Sequence, residues 1–344
     1  MATSDGQQRW TSSEILDIEQ RLIAHLQLNG TCQPLPTASA EAASALRALG
    51  SDQHLAVQTV CSSSAPVMVL VGPAGTGKTY TVDAVRVAFE DAGRAVVGAA
   101  PSARAAMGLE TGAGIISSTL HSLLHRWNTG RDAPLAGSLL VIDEAGMTDL
   151  RTLDSALAQQ LTGGGRVLLV GDHHQLPEVG AGGGFAYAAA HSPCVTTLTI
   201  NRRQQQPWEQ AALSELRDGN VSAAVSAYLD HDRVIVTDAP ADTITAAVDR
   251  WFDARRVGHQ AVLLAGTNQL VDALNQAVVD RLISDGKLDP TSTRYNDGFT
   301  VSHVRPDDRR FRGSGRGTDC RTFSRKARLD VVVFLLNRRR RVTS

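Results

Sequence analysis

Short, continuous apolar runs separated by stretches of helical spacing set the pattern of this chain. The runs "PVMVLV" at 66–71, "AVVGAA" at 95–100, "SLLVID" at 138–143, "RVLLVGD" at 166–172 and "VTTLTI" at 195–200 suit strands buried on both faces. Between the first two, Lys78 to Ala92 carries apolar side chains at helical spacing and stops at Gly93. Alternation of this kind over 51–200 predicts an α/β fold, a parallel sheet with helices on both faces. Residues 1–50 form a helical lead-in, with patterns at Ser12 to Leu26 and Ala38 to Leu49 split by the loop "NGTCQPLPT". A weaker series over 201–286 holds "RVIVTD" at 233–238, a helix around Thr243 to Arg255, "AVLLAGT" at 261–267 and a helix from Asn268 to about Ile283. It reads as the opening of a second α/β domain. Over 287–344 the pattern dissolves into a basic tail expected to be disordered, apart from "VVVFLL" at 331–336.

The stretch "VLVGPAGTGKT" at 69–79 carries chemistry. Gly72, Gly77, Lys78 and Thr79 fit G-x-x-x-x-G-K-[ST], with the required strand before and helix after. Glycines let the backbone curl so that its N–H groups and the helix N-terminus meet a polyphosphate; Lys78 adds a point charge and Thr79 offers a hydroxyl to Mg²⁺. The expected nucleotide contacts are Gly72, Pro73, Ala74, Gly75, Thr76, Gly77, Lys78, Thr79 and Tyr80. In "LLVIDEAG", Asp143 and Glu144 end a strand where the carboxyl ends of parallel strands converge. Asp143 is expected to hold Mg²⁺ and Glu144 to orient the attacking water, although two solvated acids could end a strand in the same way. "GDHHQLP" places Asp172 and Gln175 in a neighbouring loop, and the Gln175 amide suits a γ-phosphate sensor. His173 and His174 lack the companions of a metal site, which favours a loop role.

Composition changes the picture only modestly. A chain of 344 residues, 42% hydrophobic and 20% charged, is ordinary globular material, and the expectation is a cytoplasmic protein without a membrane span or signal peptide. Four scattered cysteines suggest neither a disulfide framework nor a zinc site. Residues 305–344 hold thirteen Arg or Lys against four Asp, leaving 21 basic and 31 acidic side chains in the rest. Such a tail could bind nucleic acid or simply be solvated.

In order along the chain, "LVGPAGTGKT", "LLVIDEAG", "VLLVGDHHQLP" and "LTINRRQ" resemble the superfamily 1 helicases of the RecD-like kind, above all the helicase portion of TraI/TrwC-type conjugative relaxases. "LGSDQHLAVQTV", "APSARAAMGLETGAG", "STLHSLLHRW" and "NRRQQQPWEQAALSELRDGN" agree, and the resemblance covers roughly 45–284. It implies RecA-like P-loop folding, a partial second RecA-like domain, ATP and Mg²⁺ as cofactors, and single-stranded DNA together with other conjugation or mobilisation proteins as partners. It further implies that Gln53 contacts adenine, that Pro101, Ser102 and the Thr119–His121 region line the single-strand path, and that Arg203 reaches the γ-phosphate from the second domain. Either Arg202 or Arg203 suits an arginine finger, Arg203 being better placed, while a solvated basic pair is the alternative. Trp127 and Trp208 suit packing better than base stacking.

No nicking domain precedes the lead-in, so DNA nicking is not expected, and the later helicase motifs give way to "RPDDRRFRGSGRGTDCRTFSRKARLD", which suggests a truncation or frame change near residue 290. Two functions follow. One is an ATP-hydrolysing helicase core, incomplete for strand separation; the other is a nucleotide- or DNA-binding remnant or accessory protein without turnover.

Overall fold

Strands with no polar side must be covered twice, and this requirement shapes the first part of the chain. The structure, a computed structural model, describes residues 11–28, 30, 32–175, 182–259 and 261–288 and the backbone of 334–337. It falls into two units, Met1–Gln210 and Ala211–Ser344.

The first unit runs α1 (Ser13–Gln27), α2 (Thr37–Leu46), α3 (Ser51–Ser62), β1 (Val67–Val71), α4 (Lys78–Asp91), β2 (Val96–Ala100), α5 (Ala103–Ala113), β3 (Ser117–Thr119), α6 (Leu120–Asn128) and β4 (Leu139–Ile142). After a 3-10 turn (Ala145–Met147) come α7 (Leu150–Thr162), β5 (Arg166–Gly171), α8 (Gly184–His191) and β6 (Val195–Thr197); α9 (Pro207–Arg217) crosses the unit boundary. All six strands pair in parallel in the order β3-β2-β4-β5-β1-β6. Alternate residues of β1 divide between two cores. Met68 and Leu70 join Ala43, Val57, Val85, Phe89 and Leu109 from α2 to α5, whereas Val67, Val69 and Val71 join Ile18, Leu22, Leu123, Leu157 and Ala188 from α1, α6, α7 and α8. This is a RecA-like P-loop sheet with helices on both faces, and the lead-in helices belong to its cores.

Local signals fix the helix starts. Ser12 Oγ accepts from Ile15 N at 3.3 Å and Asp149 Oδ1 from Thr152 N at 3.0 Å, each capping the first turn of its helix. Two elements departed from the sequence pattern. β3, the polar "SST" edge strand, has no apolar run to announce it; it pairs with β2 because Gly98 lets it approach, a Cβ there lying 2.1 Å from Ser117 Oγ. The run "AVLLAGT" forms no strand in its described residues, and Val262 and Leu264 lie 57% and 76% exposed. Apolar composition alone cannot make a strand where no ladder partner is supplied.

The second unit is a smaller α/β assembly of α10 (Val221–Asp230), β7 (Val234–Thr237), α11 (Pro240–Arg256), α12 (Asn268–Ser284) and β8 (Phe334–Asn337). α11 and α12 bury Ala247, Val248 and Leu274 together, and β8 pairs in parallel with β7. The remainder of the tail expected over 287–344 lies, beyond residues 287 and 288, outside the described residues.

Candidate nucleotide site

The P-loop follows β1 directly and is pinned at its start, where Gly72 N donates to Gly171 O at 3.0 Å. Gly75 and Gly77 take φ of 89° and 85°, a left-handed region that side chains disfavour. Space is also lacking: a Cβ at Gly77 would lie 2.5 Å from Gln53 Nε2. Thr76 is buried and its Oγ1 donates to Pro73 O at 2.8 Å, closing the loop on itself. α4 begins at once after Gly77, and no side chain caps its N-terminus. Its first N–H groups and positive dipole end are therefore turned to whatever the loop encloses. Lys78 Nζ donates to Gly72 O at 2.7 Å and Pro73 O at 3.4 Å, which sets the ammonium over the loop. Thr79 is half-buried, whereas Tyr80 is 43% exposed and its hydroxyl donates to Arg47 O outside the loop. Pro73 is half-buried and Ala74 exposed at the loop tip.

Asp143 and Glu144 follow β4, separated from β1 in the sheet by β5 alone. Asp143 Oδ1 accepts from Glu144 N at 3.0 Å. Burial, then the neighbouring Glu144 charge, push the Asp143 carboxyl up to about 6, against the backbone hydrogen bond and the Lys78 charge. That Lys78 is felt at Asp143 brings the P-loop lysine and the acid into one electrostatic neighbourhood. Glu144 itself sits at φ 52°, an uncommon backbone for a non-glycine and a form of local strain found at functional turns. Its carboxylate makes no hydrogen bond among the described residues. After β5, buried Asp172 accepts from His174 N at 3.1 Å and from Gln175 Nε2 at 3.4 Å, leaving Gln175 exposed. A Cβ at Gly146 would lie 3.3 Å from Asp172 O, so this loop abuts the turn after Glu144. The His173 and His174 rings lie tilted against each other at 41° with centroids 4.2 Å apart, and among the described residues no three His, Cys, Asp or Glu group as metal ligands.

Gln53 is buried against the P-loop backbone. Its Oε1 accepts from Gly50 N at 3.1 Å, while its Nε2 donates to Thr76 O at 3.4 Å and Gly77 O at 3.3 Å. Arg202 and Arg203 belong to the first unit with the P-loop, whereas the resemblance implied an approach from the second domain. They differ sharply. Arg202 is half-buried and engaged, donating from Nη1 to Thr76 O at 2.8 Å and from its backbone N to Gly75 O at 2.8 Å, and pairing with Asp52. Burial alone would raise the Asp52 carboxyl; hydrogen bonds from Arg202 and Ile200 N, the Arg202 charge and the Thr199 N–H outweigh it and hold it at about 2. Arg203 is exposed, its guanidinium has no hydrogen bond or ion pair among the described residues, and its Cβ would meet a Cβ on Gly75 at 2.7 Å. Asp52 carried no chemical role in the sequence reading, because its partner is 150 residues away.

The four residues expected on the nucleic-acid path gather at the carboxyl ends of the adjacent strands β2 and β3. Pro101 and Ser102 succeed β2, and Ser102 Oγ caps α5 by accepting from Ala105 N at 3.2 Å. Thr119 ends β3 and caps α6 through Ser122 N at 3.2 Å, with His121 exposed in the next turn. Both hydroxyls thus have capping duties. Trp127 packs against the second core.

Residues 48–239 match the family described as an AAA domain. Conjugal transfer protein TraA from Rhizobium radiobacter is 33% identical over 240 residues, covering 70% of this chain and 22% of that protein. ATP-dependent RecD2 DNA helicase from Deinococcus radiodurans is 37% identical over 153 residues, covering 42% of this chain and 21% of its own length. Multifunctional conjugation protein TraI from Escherichia coli is 27% identical over 218 residues, covering 61% of this chain and 12% of that protein. The chain thus spans about a fifth, or less, of these relatives' lengths. Among the described residues no helix is long and apolar enough to cross a membrane. Because the family match runs from just before α3 through β7 and encloses the P-loop, both acids and the arginine pair, the chain belongs to the AAA-domain family, and over this region it is similar to the RecD2 helicase and to TraI.

Proposed function

We propose that this chain is a cytoplasmic ATP hydrolase of the DNA-helicase type, which couples hydrolysis of Mg²⁺-bound ATP to binding of, or movement along, single-stranded DNA. The observation that carries the reading is the P-loop itself: two left-handed glycines with no room for a Cβ, an uncapped helix N-terminus and Lys78 held over the loop. The residues fit the implied cofactors. Thr79 and the half-buried Asp143 would hold Mg²⁺, which when bound neutralises charge on the β- and γ-phosphates. Asp143, pushed up by burial, then has a compensating cation. Glu144, with a carboxylate unengaged among the described residues, orients the attacking water and takes its proton. Gln175 senses the γ-phosphate, and Arg203 balances its developing charge from beside Gly75. Gln53, whose amide already holds Thr76 O and Gly77 O of the loop, contacts adenine. Pro101, Ser102, Thr119 and His121 line the path of single-stranded DNA, and other conjugation or mobilisation proteins supply the setting.

Steady-state phosphate release with and without single-stranded DNA tests this. Glu144→Gln is expected to lower the rate by at least ~100-fold while leaving nucleotide affinity within a few-fold. Lys78→Ala is expected to remove affinity. DNA stimulation should weaken as salt rises, because it rests on phosphate contacts. Binding that Lys78→Ala abolishes, without any Glu144-dependent release, would identify a nucleotide-binding accessory protein instead.

A further inference from the structure

The P-loop is gripped by its carbonyls, and the grip originates outside the loop. Asp52, in the first turn of α3, accepts from Thr199 N at 3.1 Å and Ile200 N at 3.0 Å and pairs with the Arg202 guanidinium. Arg202 in turn holds Thr76 O from its side chain and Gly75 O from its backbone, both at 2.8 Å. Gly50 makes room for this guanidinium, since a Cβ there would lie 2.2 Å from Nη2. Gln53 holds Thr76 O and Gly77 O as well. In a trans peptide the N–H points opposite to the preceding carbonyl. Capturing Thr76 O and Gly77 O therefore aims the N–H groups of Gly77 and Lys78 away from Arg202 and Gln53, the direction a polyphosphate must occupy.

We propose that Asp52 and Arg202 are positioning residues that make the P-loop and the turn Asn201–Arg203 one body, presenting Arg203 to the γ-phosphate. This rests on the nucleotide reading above. A long exposed side chain samples many rotamers, and its reach is useful only if its backbone is fixed relative to the bound group. Arg203 N donates to Asn201 Oδ1 at 2.9 Å, and Arg202 N is tied to the loop, so the backbone on which Arg203 stands is fixed to Gly75. The ion pair acts on the γ-phosphate through its neighbour and touches no nucleotide itself.

The test has two readouts. Calorimetric titration compares a non-hydrolysable ATP analogue with ADP in the intact chain, Asp52→Asn, Arg203→Ala and the double variant, with Lys78→Ala as the control for nucleotide binding. The intact chain is expected to prefer the triphosphate by at least ~10-fold, and Asp52→Asn to erode that preference by the same factor as Arg203→Ala; the double variant should add less than ~2-fold, as coupled residues do. Gly50→Ala, which displaces the guanidinium while keeping both charges, should reproduce the loss. An intact chain with no triphosphate preference, an undiminished preference in Asp52→Asn, or multiplying effects in the double variant would overturn the proposal. Hydrogen exchange supplies the nucleotide-independent readout: amides of Thr199, Ile200 and Arg202 should exchange at least ~10-fold faster in Asp52→Asn, and unchanged exchange overturns the grip on its own. If Lys78→Ala alters neither affinity, the nucleotide reading fails while the exchange result still decides the grip.

Discussion

At Gly75 the chain turns with φ of 89° against the side of Arg203, so backbone and space both demand glycine. Gly75→Ala should cost at least about 1 kcal/mol from the left-handed backbone, more from the contact with Arg203, and should weaken nucleotide binding with it; urea denaturation and titration of the same variant check both. Asp52 makes a separate prediction with acid. Its folded carboxyl is held at about 2, below the ordinary 3.8, so its contribution is complete above pH ~4 and fades as pH falls toward ~2. Denaturation across that window should show the intact chain about 2 kcal/mol more stable than Asp52→Asn at the upper end, the gap closing at the lower. The P-loop and the Asp143–Glu144 pair were readable in the sequence because each is a run of adjacent residues that needs nothing distant to be recognised. The Asp52–Arg202 pair was not, since a single aspartate at a helix start looks like any other until the fold delivers its arginine.

Among elements, those with apolar side chains on both faces announced themselves, and β1, β2, β4 and β5 appear within the expected runs, while the edge strand β6 falls inside "VTTLTI". β3 stayed hidden because an edge strand of Ser and Thr has only one neighbour to satisfy, while "AVLLAGT" misled because its composition was right and it has no ladder partner among the described residues. The position of α1 could not be read either: its stripe Ile15, Ile18, Leu22 and Leu26 specified a face, and the fold shows that this face covers the sheet beside α7, reinforced by Arg21 on Asp154 at 2.7 Å. Leu22 is 2% exposed. Leu22→Ala should therefore cost about 2–4 kcal/mol of first-unit stability, measured by chemical denaturation, a loss that a mere leading segment would not produce.

At the scale of the molecule, the division at Gln210 gives two bodies with separate cores. Scanning calorimetry should resolve two transitions, and an ADP concentration of 100 Kd should stabilise only the P-loop unit, by ~2.7 kcal/mol. A single transition raised as a whole by nucleotide would show instead that the two cores melt together. The double coat of helices over the six-stranded sheet has a consequence for how that sheet is indexed. A strand that is oily on both sides carries no polarity code, so sliding it by one residue would trade Met68 and Leu70 for Val67, Val69 and Val71 without exposing a single charge. Alignment must then come from the strand tips, where Gly72 hooks onto Gly171 and where the loop's crowded glycines tolerate no offset. The same few atoms that shape the phosphate cradle thereby serve as the ruler by which β1 finds its place.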